Sequence, residues 1–108
     1  MVSSVIAQVI DSAKHYPYII RVGVFGSYAR NDETLNSDLD ILVEYDNSSD
    51  DFLDDLGGFM EDMERQITLE IGYVTMDGLM KSPNENLKRE ILNNVQWVYD
   101  TKKEGIAI

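Results

Sequence analysis

Apolar residues along this chain alternate between two spacings. Val2, Val5, Ile6, Val9, Ile10 and Ala13 recur every three or four residues, which predicts a helix from Met1 to about His15 with one face on a core. Ser3 or Ser4 supplies its cap, and Pro17 ends it, because the residue before a proline is pushed out of helical backbone. Ile19 to Phe25 is rich in β-branched residues and predicts a strand, broken by Gly26. A short helix follows from Ser27 to about Asp32, then a connection over Glu33 to Ser37. The second strand runs from Leu39 to Tyr45. Its alternation puts Leu39, Ile41 and Val43 on one face and Asp38, Asp40, Leu42 and Glu44 on the other.

The polar stretch from Asp46 to Asp51 reads as a loop. Phe52, Leu53, Leu56, Phe59, Met60 and Met63 then mark the apolar face of a helix reaching about Arg65. Gly57 and Gly58 interrupt it at about 1 kcal/mol each relative to alanine, which points to a kink or a close contact. Ile67 to Thr75 alternates as a third strand, with Thr68, Glu70, Gly72 and Val74 opposite Ile67, Leu69, Ile71 and Tyr73. Met76 to Pro83 is a loop with a turn of helix. A last helix, capped by Asn84 or Asn86, is expected from about Leu87 to Tyr99 through Leu87, Ile91, Leu92, Val95 and Val98. The tail from Asp100 to Ile108 is expected to fray. The order is helix, strand, helix, strand, helix, strand, helix, so the expected fold is an α/β sandwich in a single domain, residues 1–108.

Charge changes the picture. Twenty acids against nine bases give a formal net charge of −11. Gripping nucleic acid needs clustered Lys and Arg, so direct nucleic-acid binding is excluded as the leading function. Cations or a basic protein partner fit better, although acidity also serves solubility alone. The chain has no cysteine, which excludes disulfides and thiolate zinc sites. No run approaches a membrane span and no signal peptide opens the chain, so a cytoplasmic protein is expected.

Two aspartates at the mouth of an apolar strand are costly for folding, and that cost argues for function. Asp38 and Asp40 share a face with Cα atoms roughly 6.5–7 Å apart, close enough to share a cation and to repel each other without one. Mg²⁺ is held well by a few carboxylates plus substrate phosphates. Glu70 is a third acid inside an otherwise apolar strand. If that strand neighbours the second, three carboxylates converge and suit two ions arranged for in-line phosphoryl displacement. On the phosphate side, Gly26 lets a ligand approach the backbone, Ser27 opens a helix, and Arg30 adds positive charge one turn on. Elsewhere the structural readings carry more weight. His15 is the only histidine and has no motif around it, Tyr28 reads as a packing residue, and Lys81, Lys88 and Arg89 read as a solvated face.

Gly26-Ser27, ten intervening residues and Asp38-Leu39-Asp40 resemble the GS-x10-DxD signature of the DNA polymerase beta-type nucleotidyltransferase superfamily. The longer string FGSYARNDETLNSDLDILVEY is similar to the minimal nucleotidyltransferase (MNT) proteins of that superfamily. The likeness covers most of the chain from about residue 20. It implies a small mixed sheet flanked by helices. It also implies a nucleotide triphosphate held by Gly26 and Ser27, beside which Arg30 would add its charge, with two Mg²⁺ ions on Asp38, Asp40 and Glu70. Asn31 stands where a glycine is usual, and Glu70 where many minimal members carry aspartate. The implied role is that of an antitoxin transferring AMP from ATP to a tyrosine of a HEPN ribonuclease toxin, with which it would assemble. The alternatives are an antitoxin that acts by binding alone and transfer of a nucleotide to a small molecule.

Overall fold

Ile19, Val22, Val24, Leu39, Ile41, Leu42 and Val43, the apolar residues of the first two predicted strands, are buried to within 1% of full burial. The sheet is built around them. The computed structural model describes residues 4–30, 34 and 37–101. Met1, Val2 and Ser3, the expected continuation of the second helix into Asn31 and Asp32, and the tail 102–108 lie outside the described residues. The elements are α1 (Ser4–Ala13), β1 (Ile19–Phe25), α2 (Ser27–Arg30), β2 (Leu39–Tyr45), α3 (Phe52–Gln66), β3 (Ile71–Thr75), α4 (Met76–Met80), α5 (Glu85–Asn94) and β4 (Gln96–Asp100).

The strands lie in the order β3-β2-β1-β4. β1 is antiparallel to both β2 and β4, whereas β2 and β3 run parallel with α3 as the crossover. The sheet is therefore mixed and flanked by helices, as expected. One face carries the larger core, in which Val22, Val24, Leu39, Ile41 and Val43 meet Ile6 and Val9 of α1 and Phe59 and Met63 of α3. The other face carries a smaller cluster of Leu42, Leu79 of α4 and Ile91 of α5, with Phe25, Val74 and Trp97 against it. Tyr28 is buried in the larger core, so the packing reading of that aromatic is right. Among the described residues no helix is long and apolar enough to cross a membrane.

Three expectations are corrected. The last helix stops at Asn94 rather than at Tyr99, and Gln96–Asp100 is a fourth strand paired with β1. The Val95 N–H closes the helix on the Ile91 carbonyl at 2.9 Å. Beyond it the run Val-Gln-Trp-Val-Tyr is β-branched and aromatic, and an open edge of β1 is there to pair with it, so sheet formation outweighs the helical spacing. β3 begins at Ile71 rather than Ile67, because its parallel partner β2 begins at Leu39 and Ile67 is used to cap α3. Glu70 thus precedes the strand instead of lying inside it. Leu53 belongs to the solvent side of α3, with 60% exposure, not to its apolar face. α3 is continuous from Phe52 to Gln66 through Gly57 and Gly58, and the close contact expected there is made at Gly58, against the Tyr16 ring. Asn84, of the two candidates, caps α5 by accepting from the Leu87 N–H at 3.0 Å.

Candidate active site

β1 and β2 are antiparallel neighbours, so the end of one meets the start of the other. Phe25 stands opposite Asp40 in the register, and Gly26 follows at once. Gly26 has φ 71°, the left-handed region that glycine enters without steric cost. The turn starts α2, whose Arg30 N–H returns to the Gly26 carbonyl at 3.2 Å. On the other side β3 runs parallel to β2 and places Gly72 beside Asp40.

The two glycines make a slot for one carboxylate. A Cβ on Gly26 would land against Asp40 Oδ2, and a Cβ on Gly72 would stand 3.0 Å from Oδ1. Asp40 is half-buried there, and no hydrogen bond to its carboxylate is found among the described residues. Desolvation by that burial pushes its carboxyl above the ordinary range. The charge of Asp38 pushes the same way, while Arg30 opposes. This is the repulsion anticipated for two aspartates on one strand face.

The remaining candidates divide. Asp38 is exposed at the entrance to β2, close enough to act on Asp40 electrostatically. Glu70 is exposed as well. Its carbonyl accepts from the Leu39 N–H at 2.9 Å, and one step back along the Leu39↔Ile71 register sets it beside Asp38. Among the described residues, however, no three His, Cys, Asp or Glu side chains form a group able to hold a metal ion, so Asp38, Asp40 and Glu70 are neighbours without being a closed triad. Ser27 is half-buried at the first position of α2. His15 is exposed just after α1, and Lys81 and Arg89 are exposed, Lys81 paired with Asp77 at 3.1 Å. Lys88 departs from the solvated-face reading: its side chain is only 18% exposed and meets Glu85 at 2.7 Å.

A cleft of about 220 Å³ opens over Asp40. Gly26, Arg30 and Phe25 form one side of it. The other side is α5, through Leu87, Glu90, Ile91 and Asn94. These four are spaced i, i+3, i+4, i+7 and so share one face of the helix. Reasoning on the sequence did not assign Gly72 or the α5 residues to the site. A glycine inside an alternating strand does signal close approach, and the α5 stripe was visible as spacing, though only its apolar members were read.

Residues 6–98 match the nucleotidyltransferase domain family. The chain belongs to that family. Two relatives come from Methanocaldococcus jannaschii, both named as candidate protein adenylyltransferases. The first is 44% identical over 61 residues, 49% of this chain and 62% of the relative, so the match spans less than two-thirds of its length. The second is 29% identical over 77 residues, 71% of this chain and 74% of the relative. Membership and these relatives support a nucleotidyl-transferring enzyme. Among solved structures, a toxin–antitoxin with AMP-PNP superposes with a TM-score of 0.65 at 17% identity, over 90% of this chain and 74% of the other. A variant of the toxin–antitoxin MntA-HpeT gives 0.62 at 16% identity, over 94% and 76%. At such identities these superpositions establish a shared nucleotidyltransferase fold.

Proposed function

We propose that this domain transfers AMP from ATP to a tyrosine hydroxyl of a partner toxin of the HEPN ribonuclease type, in the cytoplasm, and thereby acts as an antitoxin. The observation that carries the reading is the Asp40 carboxylate, held between Gly26 and Gly72 on a cleft that also contains Arg30. The candidate adenylyltransferase relatives and the toxin–antitoxin neighbours support the choice of nucleotide and partner.

The residues present fit Mg²⁺. Asp38 and Asp40 offer oxygen donors only, the type Mg²⁺ takes, and a cation reverses the burial and repulsion that now disfavour the Asp40 anion. Asp38 and Asp40 would hold it, with Glu70 beside Asp38 in the register as the nearby third acid. When bound, Mg²⁺ polarises the α-phosphate and neutralises charge on the departing pyrophosphate.

The chain's own residues handle the rest of the triphosphate. The bare backbone of Gly26 admits phosphate oxygens that a side chain would exclude. The Ser27 hydroxyl donates to them, and the Arg30 guanidinium offsets their charge. Transfer forms a bond between the tyrosine oxygen and the α-phosphorus and breaks the bond to pyrophosphate, with loss of the phenolic proton. The test replaces both aspartates, Asp38→Ala with Asp40→Ala. Incubated with α-labelled ATP, Mg²⁺ and the partner, the double variant is expected to leave the partner unlabelled; wild-type labelling would refute the assignment.

The second reading is inhibition by binding alone, with the exposed Asp38 and Glu70 serving only the charged surface that meets the partner. Inhibition of the partner's ribonuclease activity separates the two. A binder retains inhibition in the double variant, whereas an adenylyltransferase loses it.

A further inference from the structure

The α5 side of the cleft has chemistry that a phosphate chain does not need. Glu90 places a carboxylate there, which repels phosphate. Leu87 and Ile91, facing Phe25 across the cleft, present hydrocarbon. Asn94 lies one turn beyond Glu90, and its Nδ2 donates to the Glu90 carbonyl at 2.7 Å, which leaves its Oδ1 as an acceptor. The wall therefore combines an apolar surface with two acceptors one helical turn apart.

We propose that this wall is a nucleobase seat that reads an exocyclic amino group, with Glu90 and Asn94 as its acceptors and Phe25, Leu87 and Ile91 as the surface against the ring. It rests on the reading of Gly26 and Arg30 as the triphosphate site. Because they line the same cleft, a ligand anchored by phosphate there reaches α5 with its nucleoside end. An amino group brings two N–H donors to two acceptors. A keto oxygen in its place brings an acceptor to two acceptors, so both hydrogen bonds of the amino group are lost. Sites built to hydrogen-bond a group reject the analogue that lacks it far more strongly than apolar pockets reject a missing methylene.

ATP and ITP differ at purine C6, amino against keto, and with it at N1, which accepts in adenine and donates in hypoxanthine. Guanine and cytosine also carry an amino group, and uracil does not. The experiment measures binding of ATP, ITP, GTP, CTP and UTP to the whole chain with Mg²⁺ by titration calorimetry. The wild type is expected to bind ATP at least about tenfold more tightly than ITP, and CTP more tightly than UTP; GTP against ITP reports whether the amino group at C2 is read as well. Glu90→Gln keeps the size of the side chain but can donate as well as accept, and it is expected to bring the ATP:ITP ratio close to one. Glu90 is exposed, so the variant is expected to fold, which far-UV circular dichroism checks. Leu87→Ala is expected to weaken ATP and ITP alike. Equal binding of ATP and ITP by the wild type, or an unchanged ratio in Glu90→Gln, overturns the base-reading role while leaving the triphosphate site standing. Failure of every nucleotide to bind overturns the triphosphate reading and this inference with it.

Discussion

Along β2, Leu39, Ile41 and Val43 face α1 and α3, while Asp40, Leu42 and Glu44 face the side of α4 and α5. The first three are at most 1% exposed and join a core that reaches both helices. On the second face only Leu42 is fully buried, in a cluster whose other buried members are Leu79 and Ile91. One seven-residue strand thus meets two opposed demands. Its apolar face gains burial free energy, about 25 cal/mol per Å² of apolar surface removed from water. Its polar face keeps a carboxylate where burial and a neighbouring charge both work against ionisation. The strand tolerates this because alternate residues are independent of one another: the hydrophobic face fixes the register, and the register then presents the aspartates.

The division is most directly broken by comparing one substitution on each side. On the proposed metal-binding role, Asp40→Asn is expected to lower nucleotide transfer by about a hundredfold or more, since loss of a ligand to a catalytic cation forfeits several kcal/mol of transition-state stabilisation. Its thermal midpoint should hold or rise, because the amide removes a half-buried charge. Phe59→Ala on the helical side is expected to cost about 3–5 kcal/mol in urea unfolding, the range for emptying a fully buried aromatic site. Transfer by the fraction that stays folded should change little. An Asp40→Asn variant destabilised as much as Phe59→Ala would show that the site face bears stability after all.

The same contrast governs what the sequence disclosed. The α1, β1, β2 and α3 elements were legible because each buries one regular stripe against a single layer, and periodicity reports that geometry. Gly26, Asp38 and Asp40 were legible because residues so unfavourable for folding are conspicuous on an apolar strand. β4 was not, since Val95, Trp97 and Val98 fit both a helix and a strand, and only the open edge of β1 decides between them. Glu70 was placed inside a strand because alternation continues through Thr68 and Leu69. The start of the parallel pairing is set by β2, where Leu39 pairs with Ile71 from 32 residues earlier in the chain, which no local pattern contains. Glu90 and Asn94 read as ordinary surface residues of a helix, and their role depends on which way α5 docks.

Proton linkage distinguishes the two sides by the sign of a smaller effect. Asp40 is held above the ordinary carboxyl range by burial first and by Asp38 second. The folded chain therefore keeps a proton that the unfolded chain has already lost. Stability falls as pH rises from the ordinary aspartate value of about 4 through the raised one. Asp62 on α3 is held low, chiefly by the Tyr16 hydroxyl that donates to it and then by Arg65. Its contribution is present above the ordinary value and is lost as pH falls through the depressed one. With divalent ions chelated, Asp40→Asn should flatten the decline above about pH 4, and Asp62→Asn should flatten the loss in acid. Urea midpoints across pH read both. Profiles of the two variants that stay parallel to the wild type would remove this distinction between the faces.

The finest comparison lies within α3, between adjacent glycines. A Cβ built on Gly57 meets nothing within 4 Å, whereas one on Gly58 would stand 2.7 Å from Cε1 of Tyr16 and 3.1 Å from its hydroxyl oxygen. Gly57 therefore carries only the entropic penalty of glycine in a helix, and Gly57→Ala is expected to raise stability by about 1 kcal/mol, a shift of a few degrees in thermal midpoint. Gly58 lets the Tyr16 ring lie on the helix backbone, edge-on to Phe59 and bonded to Asp62. Gly58→Ala gains the same helical preference but must move the ring, its hydrogen bond and its aromatic contact together, so it is expected to lower the midpoint. Opposite signs at neighbouring positions are a sharper outcome than either value alone, since helix propensity predicts the same sign for both. If Gly58→Ala stabilises as Gly57→Ala does, Tyr16 has another place to pack, and the seam between α1 and α3 is looser than the buried Phe59 and Met63 beside it imply.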